Sequence, residues 1–191
     1  LEKGLDNLAA NIGIVKKFGV PAVVAVNRFA DDTDNEINRV IEAAISYGAE
    51  EACSCDVWGR GGTGGEDLAR AVVKGCDAPS NFNFLYDENT PLAKKIETIA
   101  TQVYGAASII LSSQAKQSID RYEQLGFGQL PINMAKTHLS LSHDPEKKGA
   151  PTGYELPVRD VGLSAGAGFL FPLCGEIRRL PGLPSKPAFM N

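Results

Sequence analysis

The chain has 191 residues, of which 43% are hydrophobic and 22% are charged, and its formal net charge is -4. This balance is typical of one or two globular domains with a hydrophobic core and excludes a disordered tail. The apolar runs are only long enough for strands and basic residues form no cluster, so neither a membrane nor a nucleic acid is indicated as a partner.

The first predicted element is an amphipathic helix. Apolar residues recur at alternating spacings of four and three from Leu1 to Val15, which is the period of one helical face. The sequence opens on leucine instead of methionine and ends on PAFMN, residues 187–191, without a helix stop signal. We therefore expect a fragment of a longer protein, with polypeptide missing upstream of Leu1.

A strand and a helix are predicted next. Residues 21–27, PAVVAVN, form a short apolar run that indicates a buried strand. Thr33 and Glu36 have the spacing of a capping box, and the apolar period after them predicts a helix that Gly48 ends.

The same order is repeated further along the chain. Residues 50–57, EEACSCDV, predict a second strand that leads into the glycine-rich loop WGRGG, residues 58–62. Thr63 and Glu66 repeat the capping box at the start of another helix. The side chains predicted to face the core from that helix are Leu68, Val72, Val73 and Cys76.

This alternation predicts an α/β fold for residues 1–78, with a parallel sheet covered by helices. Such sheets bind ligands at the carboxyl ends of their strands. Residues 79–191 are predicted to form a smaller mixed α+β domain after a polar and aromatic connection, with the boundary near Pro79. One helix is predicted to start with Thr90 and Pro91, and another at Ser112 or Ser113. The predicted strands there are LPINMAK (130–136), YELPVRDVGLS (154–164) and GFLFPLC (168–174).

Aromatic residues follow both strands of the first part. Asn27, Arg28 and Phe29 come directly after the first strand, and Trp58, the single tryptophan, follows the second. An asparagine amide can donate to and accept from a flat heterocycle, and two rings at one sheet edge can stack on its faces. The sequence therefore predicts a cleft for a planar ligand between Phe29 and Trp58. Alternatively, Asn27 and Asp31 form turn hydrogen bonds and Phe29 packs under a loop.

Two glycine-rich stretches need a separate interpretation. Residues 59–65, GRGGTGG, lack the lysine and hydroxyl residue of a Walker A loop, but Arg60, Gly61 and Gly62 could contact an anion at the rim of the cleft. A structural entry to the next helix is about equally compatible with this stretch. Residues 164–169, SAGAGF, precede an apolar strand, and close backbone packing is predicted for their glycines.

The remaining chemically active side chains give weaker signals. His138 and His143 have no identifiable third ligand, so no metal site is predicted. Lys136, Arg159 and Asp160 either line a cleft or form surface pairs. No nucleophile motif is present, and catalytic residues are not identified. The cysteines, which have neither metal nor disulfide spacing and are expected to be reduced thiols, are Cys53, Cys55, Cys76 and Cys174.

Several long blocks of the sequence, in order, resemble the C-terminal part of formate–tetrahydrofolate ligase (formyltetrahydrofolate synthetase), which also forms the synthetase portion of C1-tetrahydrofolate synthases. The resemblance extends over essentially the whole chain. The blocks are LEKGLDNLAANI, KKFGVPAVVAVNRF, SNFNFLYDENTPLAKKIETIATQVYGA, RYEQLGFGQLPINMAKTHLSLSHDP, SAGAGF and PGLPSKP.

The resemblance implies an ATP-dependent ligase that forms 10-formyltetrahydrofolate, ADP and phosphate from formate, ATP and tetrahydrofolate through formyl phosphate. It implies pterin stacking by Phe29 and Trp58, and a rim of nucleotide and folate sites near Asn27 and Arg28. Magnesium with ATP, a monovalent cation, a homo-oligomer, and a cytoplasmic or mitochondrial matrix location are also implied. The family's phosphate-binding loop, part of a P-loop NTPase-like domain, has no counterpart in this sequence, so the fragment is expected to be inactive alone.

A hypothesis of a different class is a non-catalytic interaction module. In that case the same aromatic edge would assemble with a partner and bind no folate. A phosphate-binding loop upstream in the native reading frame would favour the ligase, whereas a native start close to Leu1 would favour the module.

Overall fold

The computed structural model describes residues 1–79 and 81–176. The block PGLPSKP and the chain end PAFMN lie outside the described residues. The chain divides into two compact units, one from Leu1 to Asp87 with Lys148–Ala150, and the other from Glu88 to Lys147 and from Pro151 onward. No helix in the described part of the chain is both long and apolar enough to cross a membrane.

The first unit alternates helices and strands, and its two strands are parallel. Asn27 of the first strand is aligned with Cys55 of the second. The prediction of an α/β fold with a parallel sheet is confirmed for this unit. Its elements are α1 (Glu2–Lys17), β1 (Val23–Asn27), α2 (Asp34–Ser46), β2 (Glu51–Cys55), α3 (Val57–Arg60) and α4 (Glu66–Asp77).

The capping box predicted before α2 is present. The Thr33 hydroxyl accepts a hydrogen bond from the Glu36 backbone N–H at 3.3 Å, and the Glu36 carboxylate accepts one from the Thr33 backbone N–H at 3.1 Å. Two of the N–H groups that a helix start leaves unpaired are thereby satisfied. At the other end Gly48 has a φ of 90°, a conformation that suits glycine and ends the helix as predicted.

The capping box predicted before α4 is wrong. The helix begins at Glu66 after Gly65, and no side chain caps it. Residues 61–65 instead form a 3-10 helix, in which the Thr63 hydroxyl donates to the Arg60 carbonyl oxygen at 2.9 Å. Four glycines within five residues weaken the α-helix there, so the α-helical part starts two residues later than the threonine indicates.

The core face predicted for α4 is also largely wrong. Small residues, Ala71 and Gly75, are buried, whereas Val73 is 62% exposed. A carbon atom added to Gly75 would lie 3.4 Å from a methyl group of Val23 in β1, so the helix packs closely against the strand through its small residues. Of the side chains predicted to face the core, Leu68 is half-buried and the exposed ones are Val72, Val73 and Cys76.

The second unit contains a mixed sheet. Its strand order is β3-β4-β5, with β3 parallel and β5 antiparallel to the central strand. Both helix starts were predicted correctly, because Pro91 and Ser112 are the N-caps. The elements are α5 (Leu92–Gln102), β3 (Ser108–Leu111), α6 (Ser113–Gln124), β4 (Glu155–Ser164) and β5 (Phe169–Cys174).

Three features of this unit differ from the sequence-based predictions. Strand β3 was not predicted, and the predicted strand at residues 130–136 is reduced to isolated bridges from Ile132 and Ala135 to β5. The prediction of close backbone packing at residues 164–169 is wrong, since a carbon atom added to Gly166 or Gly168 would meet nothing within 4 Å. Gly168 is needed for the turn before β5, where its φ is 75°.

The larger hydrophobic core belongs to the second unit, where helices α5 and α6 pack on the sheet. In the first unit the corresponding cluster consists of Ile12, Ala22, Ala44 and Ala49. The buried residues of the larger core are Leu92, Ile96, Ala100, Ala106, Ala115, Ile119, Tyr154, Leu156, Val158, Val161, Leu170 and Cys174.

Candidate functional site

The carboxyl ends of β1 and β2 lie side by side. The pairing runs from Val23 with Glu51 to Asn27 with Cys55, and the Arg28 backbone N–H continues it by donating to the Cys55 carbonyl oxygen at 2.9 Å. Neighbouring strands are about 4.8 Å apart. The segments that follow the two strands therefore leave the sheet from adjacent points on one edge.

Phe29 leaves this edge on a tight turn. Its backbone N–H donates to the Asp32 carboxylate at 2.8 Å, and its carbonyl oxygen accepts from the Asp32 backbone N–H at 3.1 Å. The phenyl ring is 67% exposed. Phe29 is thus held by its backbone and is not packed under a loop.

Asn27 and Arg28 flank the ring. Asn27, the last residue of β1, is exposed, so its amide is accessible to a ligand. The Arg28 guanidinium forms an ion pair of 2.7 Å with Asp34 in the first turn of α2. An aspartate at that position also interacts favourably with the helix dipole, so Arg28 is directed toward α2.

Trp58 is presented by the short helix α3. The Asp56 carboxylate caps this helix by accepting from the Gly59 backbone N–H at 3.2 Å, and the Asp56 carbonyl oxygen accepts from the Arg60 backbone N–H at 2.9 Å. The indole is 95% exposed, so almost none of its surface contacts protein. An indole this exposed contributes little to folding and is available to a ligand.

Arg60, Gly61 and Gly62 lie directly after Trp58 and are exposed. Gly61 has a φ of 60°, and a carbon atom added to Gly61 or Gly62 would meet nothing within 4 Å. These glycines therefore permit a sharp change of chain direction between α3 and the 3-10 helix. Arg60 is the last residue of α3, the short helix that also carries Trp58.

The sheet edge therefore presents two exposed aromatic rings, an exposed amide and a nearby guanidinium. Aromatic faces bind flat, conjugated molecules by stacking, and an amide can pair with the edge of such a molecule. Because both rings come from adjacent strand ends of one unit, the arrangement suits a planar heterocycle. It contains no cysteine, serine or lysine nucleophile beside a base.

Lys136, predicted to line a cleft or to pair on the surface, is instead committed to its own loop. Its ammonium donates to the Thr137 carbonyl oxygen at 3.0 Å and to the Ser140 carbonyl oxygen, and lies 4.7 Å from the centre of the Tyr104 ring. Desolvation by burial lowers the pKa of Lys136. The residue ties together the loop that follows position 135.

Arg159 and Asp160 are both part of β4. The Asp160 carboxylate accepts from the Ser118 hydroxyl at 2.8 Å and from the Val161 backbone N–H at 2.7 Å. The Arg159 carbonyl oxygen accepts from the Ser112 hydroxyl at 2.6 Å. These hydrogen bonds join α6 to the sheet of the second unit, which is a structural role.

The two histidines are in different environments. His138 is exposed, whereas the ring of His143 lies 5.9 Å from that of Tyr154, and its buried Nδ1 has no hydrogen-bond partner within the described ranges. Among residues 1–79 and 81–176, no three His, Cys, Asp or Glu side chains are grouped as a metal ion would require.

All four cysteines are free thiols, as predicted. Cys55 and Cys174 are buried and Cys76 is exposed. Burial raises the pKa of Cys53, and raises that of Cys174 to about 12. A thiol with a raised pKa is a poor nucleophile, so neither residue is suited to covalent chemistry.

Sequence reasoning identified the rings but missed Asp32 and Asp56, the side chains that hold them. A signal was present, because aspartate commonly accepts hydrogen bonds from backbone N–H groups a few residues away in turns and at helix N-termini. Asp56 lies three residues before Gly59, and Asp32 lies three residues after Phe29.

Comparison with known sequences places the chain in a family. A sequence model described as formate–tetrahydrofolate ligase matches residues 1–191. The chain belongs to the formate–tetrahydrofolate ligase family. The resemblance inferred from the sequence blocks is thereby confirmed.

Relatives of this ligase-family chain come from bacteria and from eukaryotes. The formate–tetrahydrofolate ligase of Roseiflexus castenholzii is 50% identical over 185 residues, which are 97% of this chain and 33% of the relative. The cytoplasmic C-1-tetrahydrofolate synthase of Homo sapiens is 48% identical over 191 residues, which are 100% of this chain and 20% of the relative. The mitochondrial monofunctional C1-tetrahydrofolate synthase of Mus musculus is 53% identical over 188 residues, 98% of this chain and 19% of the relative.

This member of the ligase family thus spans only about a third to a fifth of the length of these relatives. Its identity to them is nevertheless spread over nearly the whole chain, so both compact units belong to the matched region.

Proposed function

We propose that this chain is the folate-binding part of an ATP-dependent formate–tetrahydrofolate ligase. The whole enzyme transfers the γ-phosphoryl group of ATP to a formate oxygen, which yields formyl phosphate and ADP. A secondary amine of tetrahydrofolate then attacks the formyl carbon, the bond from that carbon to the phosphate oxygen breaks, and the amine loses its proton. The products of this second step are 10-formyltetrahydrofolate and phosphate.

The observation that carries this proposal is the exposure of Phe29 and Trp58 at adjacent strand ends. Exposed apolar surface that is grouped in one place marks a ligand or interaction site more often than single exposed residues do. In a chain of this family the flat ligand is the pterin of tetrahydrofolate, which we propose stacks between the two rings. Asn27 and Arg28 then lie at the rim of the same cleft, together with Arg60, Gly61 and Gly62.

Substrate positioning is what these residues contribute to the reaction. Formyl transfer needs the amine held close to the formyl carbon, and holding two reactants together lowers the entropic barrier by several kcal/mol. Stacking on both faces of a pterin fixes its plane, and an amide at its edge fixes its rotation within that plane. The chain's own side chains supply orientation in this scheme and no covalent intermediate.

The phosphates of ATP, together with the Mg²⁺ that accompanies them, do not fit the glycine-rich stretches among the described residues. Neither glycine-rich stretch has a phosphate-gripping lysine, and residues 59–65 are wound into helical turns. We propose that these groups, and the phosphate-binding loop of a P-loop NTPase-like domain, belong to the portion of the relatives that this chain does not span. The chain alone then makes no 10-formyltetrahydrofolate.

The incomplete covering of the sheet supports this view. Parallel strands are normally buried on both faces, yet no residue of β1 is fully buried and only Cys55 is buried in β2. We propose that the rest of the ligase polypeptide covers the sheet, and that the enzyme works as a homo-oligomer.

Titration of the chain with tetrahydrofolate in anaerobic buffer tests the proposal. Trp58 is the single tryptophan, so stacking should quench the protein's indole fluorescence in a saturable way. We expect Phe29→Ala and Trp58→Ala, measured by calorimetry, to weaken binding by about 1–3 kcal/mol each, the range for losing one stacking aromatic.

Phe84→Ala is the matched control. Phe84 is 81% exposed and contacts Phe82, which stacks on Phe18 before β1. This aromatic group is therefore near the amino end of a strand about 16 Å long, opposite Phe29. If Phe84→Ala weakened binding as much as Trp58→Ala, the interaction would be unspecific. A folded chain that binds no folate would contradict the proposal and favour an interaction module.

A further inference from the structure

Phe29 and Trp58 share a structural difficulty. Because both rings are largely exposed, packing cannot fix the direction in which they point. A ring on a mobile backbone loses conformational freedom when a ligand binds, and that loss weakens binding. A preorganised site therefore requires that the backbone beneath each ring be fixed by other groups.

Asp32 meets this requirement for Phe29. Its carboxylate accepts from the Phe29 backbone N–H at 2.8 Å and its own N–H donates to the Phe29 carbonyl oxygen at 3.1 Å. Both backbone polar groups of Phe29 are thereby bonded to one residue. Since Thr33 caps α2 directly after it, the turn is joined to a regular helix.

Asp56 meets the same requirement for Trp58. Its carboxylate accepts from the Gly59 N–H, its carbonyl oxygen accepts from the Arg60 N–H, and its N–H donates to the Gly64 carbonyl oxygen at 3.0 Å. A carbon atom added to Gly59 would lie 2.7 Å from a carboxylate oxygen of Asp56, and one added to Gly64 would lie 2.1 Å from its carbonyl oxygen. The loop that carries Trp58 is therefore wrapped closely around this aspartate.

We propose that Asp32 and Asp56 are positioning residues, which hold the backbone under Phe29 and Trp58 so that the rings are presented to the pterin. This inference rests on the proposed function. Neither carboxylate needs to touch the ligand, because each acts through the backbone N–H groups it accepts from. The important property of both side chains is a short acceptor oxygen and not the negative charge.

Two substitutions at position 56 test whether the hydrogen-bond acceptor or the negative charge of the side chain matters. Asp56→Asn keeps a short acceptor oxygen and removes the charge, whereas Asp56→Glu keeps the charge and moves the oxygen by one methylene. We expect the Asn variant to bind tetrahydrofolate within about twofold of the wild-type chain, since asparagine caps helices as well as aspartate. The Glu variant should bind roughly fivefold more weakly, because the competent loop is less populated.

Position 32 is tested in the same way, with Asp31→Ala as the control for charge. Asp31 is exposed and adjacent, so its replacement removes the same charge from the same turn. We expect Asp32→Asn to bind like the wild type, Asp32→Ala to bind roughly fivefold more weakly, and Asp31→Ala to show no change.

A readout without ligand separates this inference from the proposed function. Time-resolved fluorescence anisotropy of Trp58 reports how freely the indole moves on its helix. We expect Asp56→Glu to increase the fast component and Asp56→Asn to leave it unchanged, with circular dichroism showing that both variants are folded.

The outcomes then divide clearly. If Trp58→Ala weakens folate binding but Asp56→Glu changes neither binding nor anisotropy, the positioning role is wrong and the proposed function stands. If the Asn variant loses binding and the Glu variant keeps it, the charge is what matters and the inference is overturned. If the wild-type chain binds no folate, the proposed function fails and this inference fails with it.

Discussion

Gly64→Ala is the substitution whose effect follows most directly from the structure. A carbon atom added to Gly64 would lie 2.1 Å from the Asp56 carbonyl oxygen and 2.4 Å from its carbonyl carbon. Both are backbone atoms, so they cannot swing aside as a flexible side chain would. The segment must shift, which also strains the hydrogen bond from the Asp56 N–H to the Gly64 carbonyl oxygen.

The size of the effect can be bounded from two opposing contributions. Overpacking at a tight position costs about 1–3 kcal/mol of unfolding free energy. Replacing glycine by alanine also lowers the conformational entropy of the unfolded chain, which raises the free energy of unfolding by about 0.4–1 kcal/mol. We therefore expect a net destabilisation of about 1–2 kcal/mol, with looser presentation of Trp58.

Gly62→Ala is the matched control for this prediction. It lies two residues earlier in the same 3-10 helix, and a carbon atom added there would meet nothing within 4 Å. Only the unfolded-state contribution applies, so the variant should be neutral or more stable by up to about 1 kcal/mol.

Urea unfolding followed by Trp58 fluorescence is the appropriate assay, because the single tryptophan reports on the first unit. With a denaturant dependence of about 1–3 kcal/mol per molar, Gly64→Ala should lower the midpoint by roughly 0.3–2 M. Equal midpoints for the two variants would refute the packing argument.

Three further predictions concern other parts of the chain. Thr33→Ala should lower the free energy of unfolding, measured in urea, by about 1 kcal/mol, because it removes the cap of α2. The control Thr63→Ala should change it by less than about 0.5 kcal/mol. Equal effects of the two substitutions would contradict the capping assignment. Burial raises the pKa of Tyr154 to about 12 from an unfolded value of 10.0, so its stabilisation is present below pH 10 and lost between pH 10 and 12. Tyr154→Phe should remove this loss of stability between pH 10 and 12. If the phenolate of Tyr154 were detected by absorbance near pH 10 in the native chain, the raised pKa would be wrong. A thiol reagent should label exposed Cys76 rapidly and buried Cys174 only on unfolding, and equal rates would disprove the burial of Cys174.

Regular periodicity with a clear boundary was what made elements predictable. Helix α2 has an apolar period, a capping box at Thr33 and a glycine at position 48, and all three signals agree with the structure. Strand β1 was predictable because its short apolar run is bounded by Pro21 and by polar residues. Where several local signals agree, the fold follows from them.

Elements with a single weak signal were missed or misplaced. Strand β3 contains only four residues, Ser108–Leu111, a length at which periodicity cannot separate strand from helix. Residues 130–136 resemble a strand, but Pro131 and the isolated bridges show that they pair only locally with β5. Before α4, Thr63 and Glu66 have the spacing of a capping box, but the glycines around them prevent Thr63 from capping the helix.

The residues of the candidate site could be predicted from the sequence, but the backbone contacts that hold them could not. Residue order and the parallel topology together place Phe29 and Trp58 at one sheet edge. The sequence alone left open whether Phe29 faces a cleft or packs under a loop, and the structure decides for exposure, at 67% for Phe29 and 95% for Trp58. The aspartate contacts that leave the rings in solvent depend on loop geometry, which local sequence specifies poorly.

The thin core of the first unit and the exposure of its rings have a common consequence. Its sheet has two strands, and apart from Ile12 the fully buried residues of its core cluster are alanines, so little apolar area stabilises the segments that carry the rings. A ligand that binds only the folded form stabilises it by about 2.7 kcal/mol at a ligand concentration one hundred times the dissociation constant, and that increment is a larger fraction of the total where the local stability is low. A flat ligand stacked on Phe29 and Trp58 would supply apolar contacts that the unit lacks. Binding at this edge and stabilisation of the sheet beneath it are therefore thermodynamically linked.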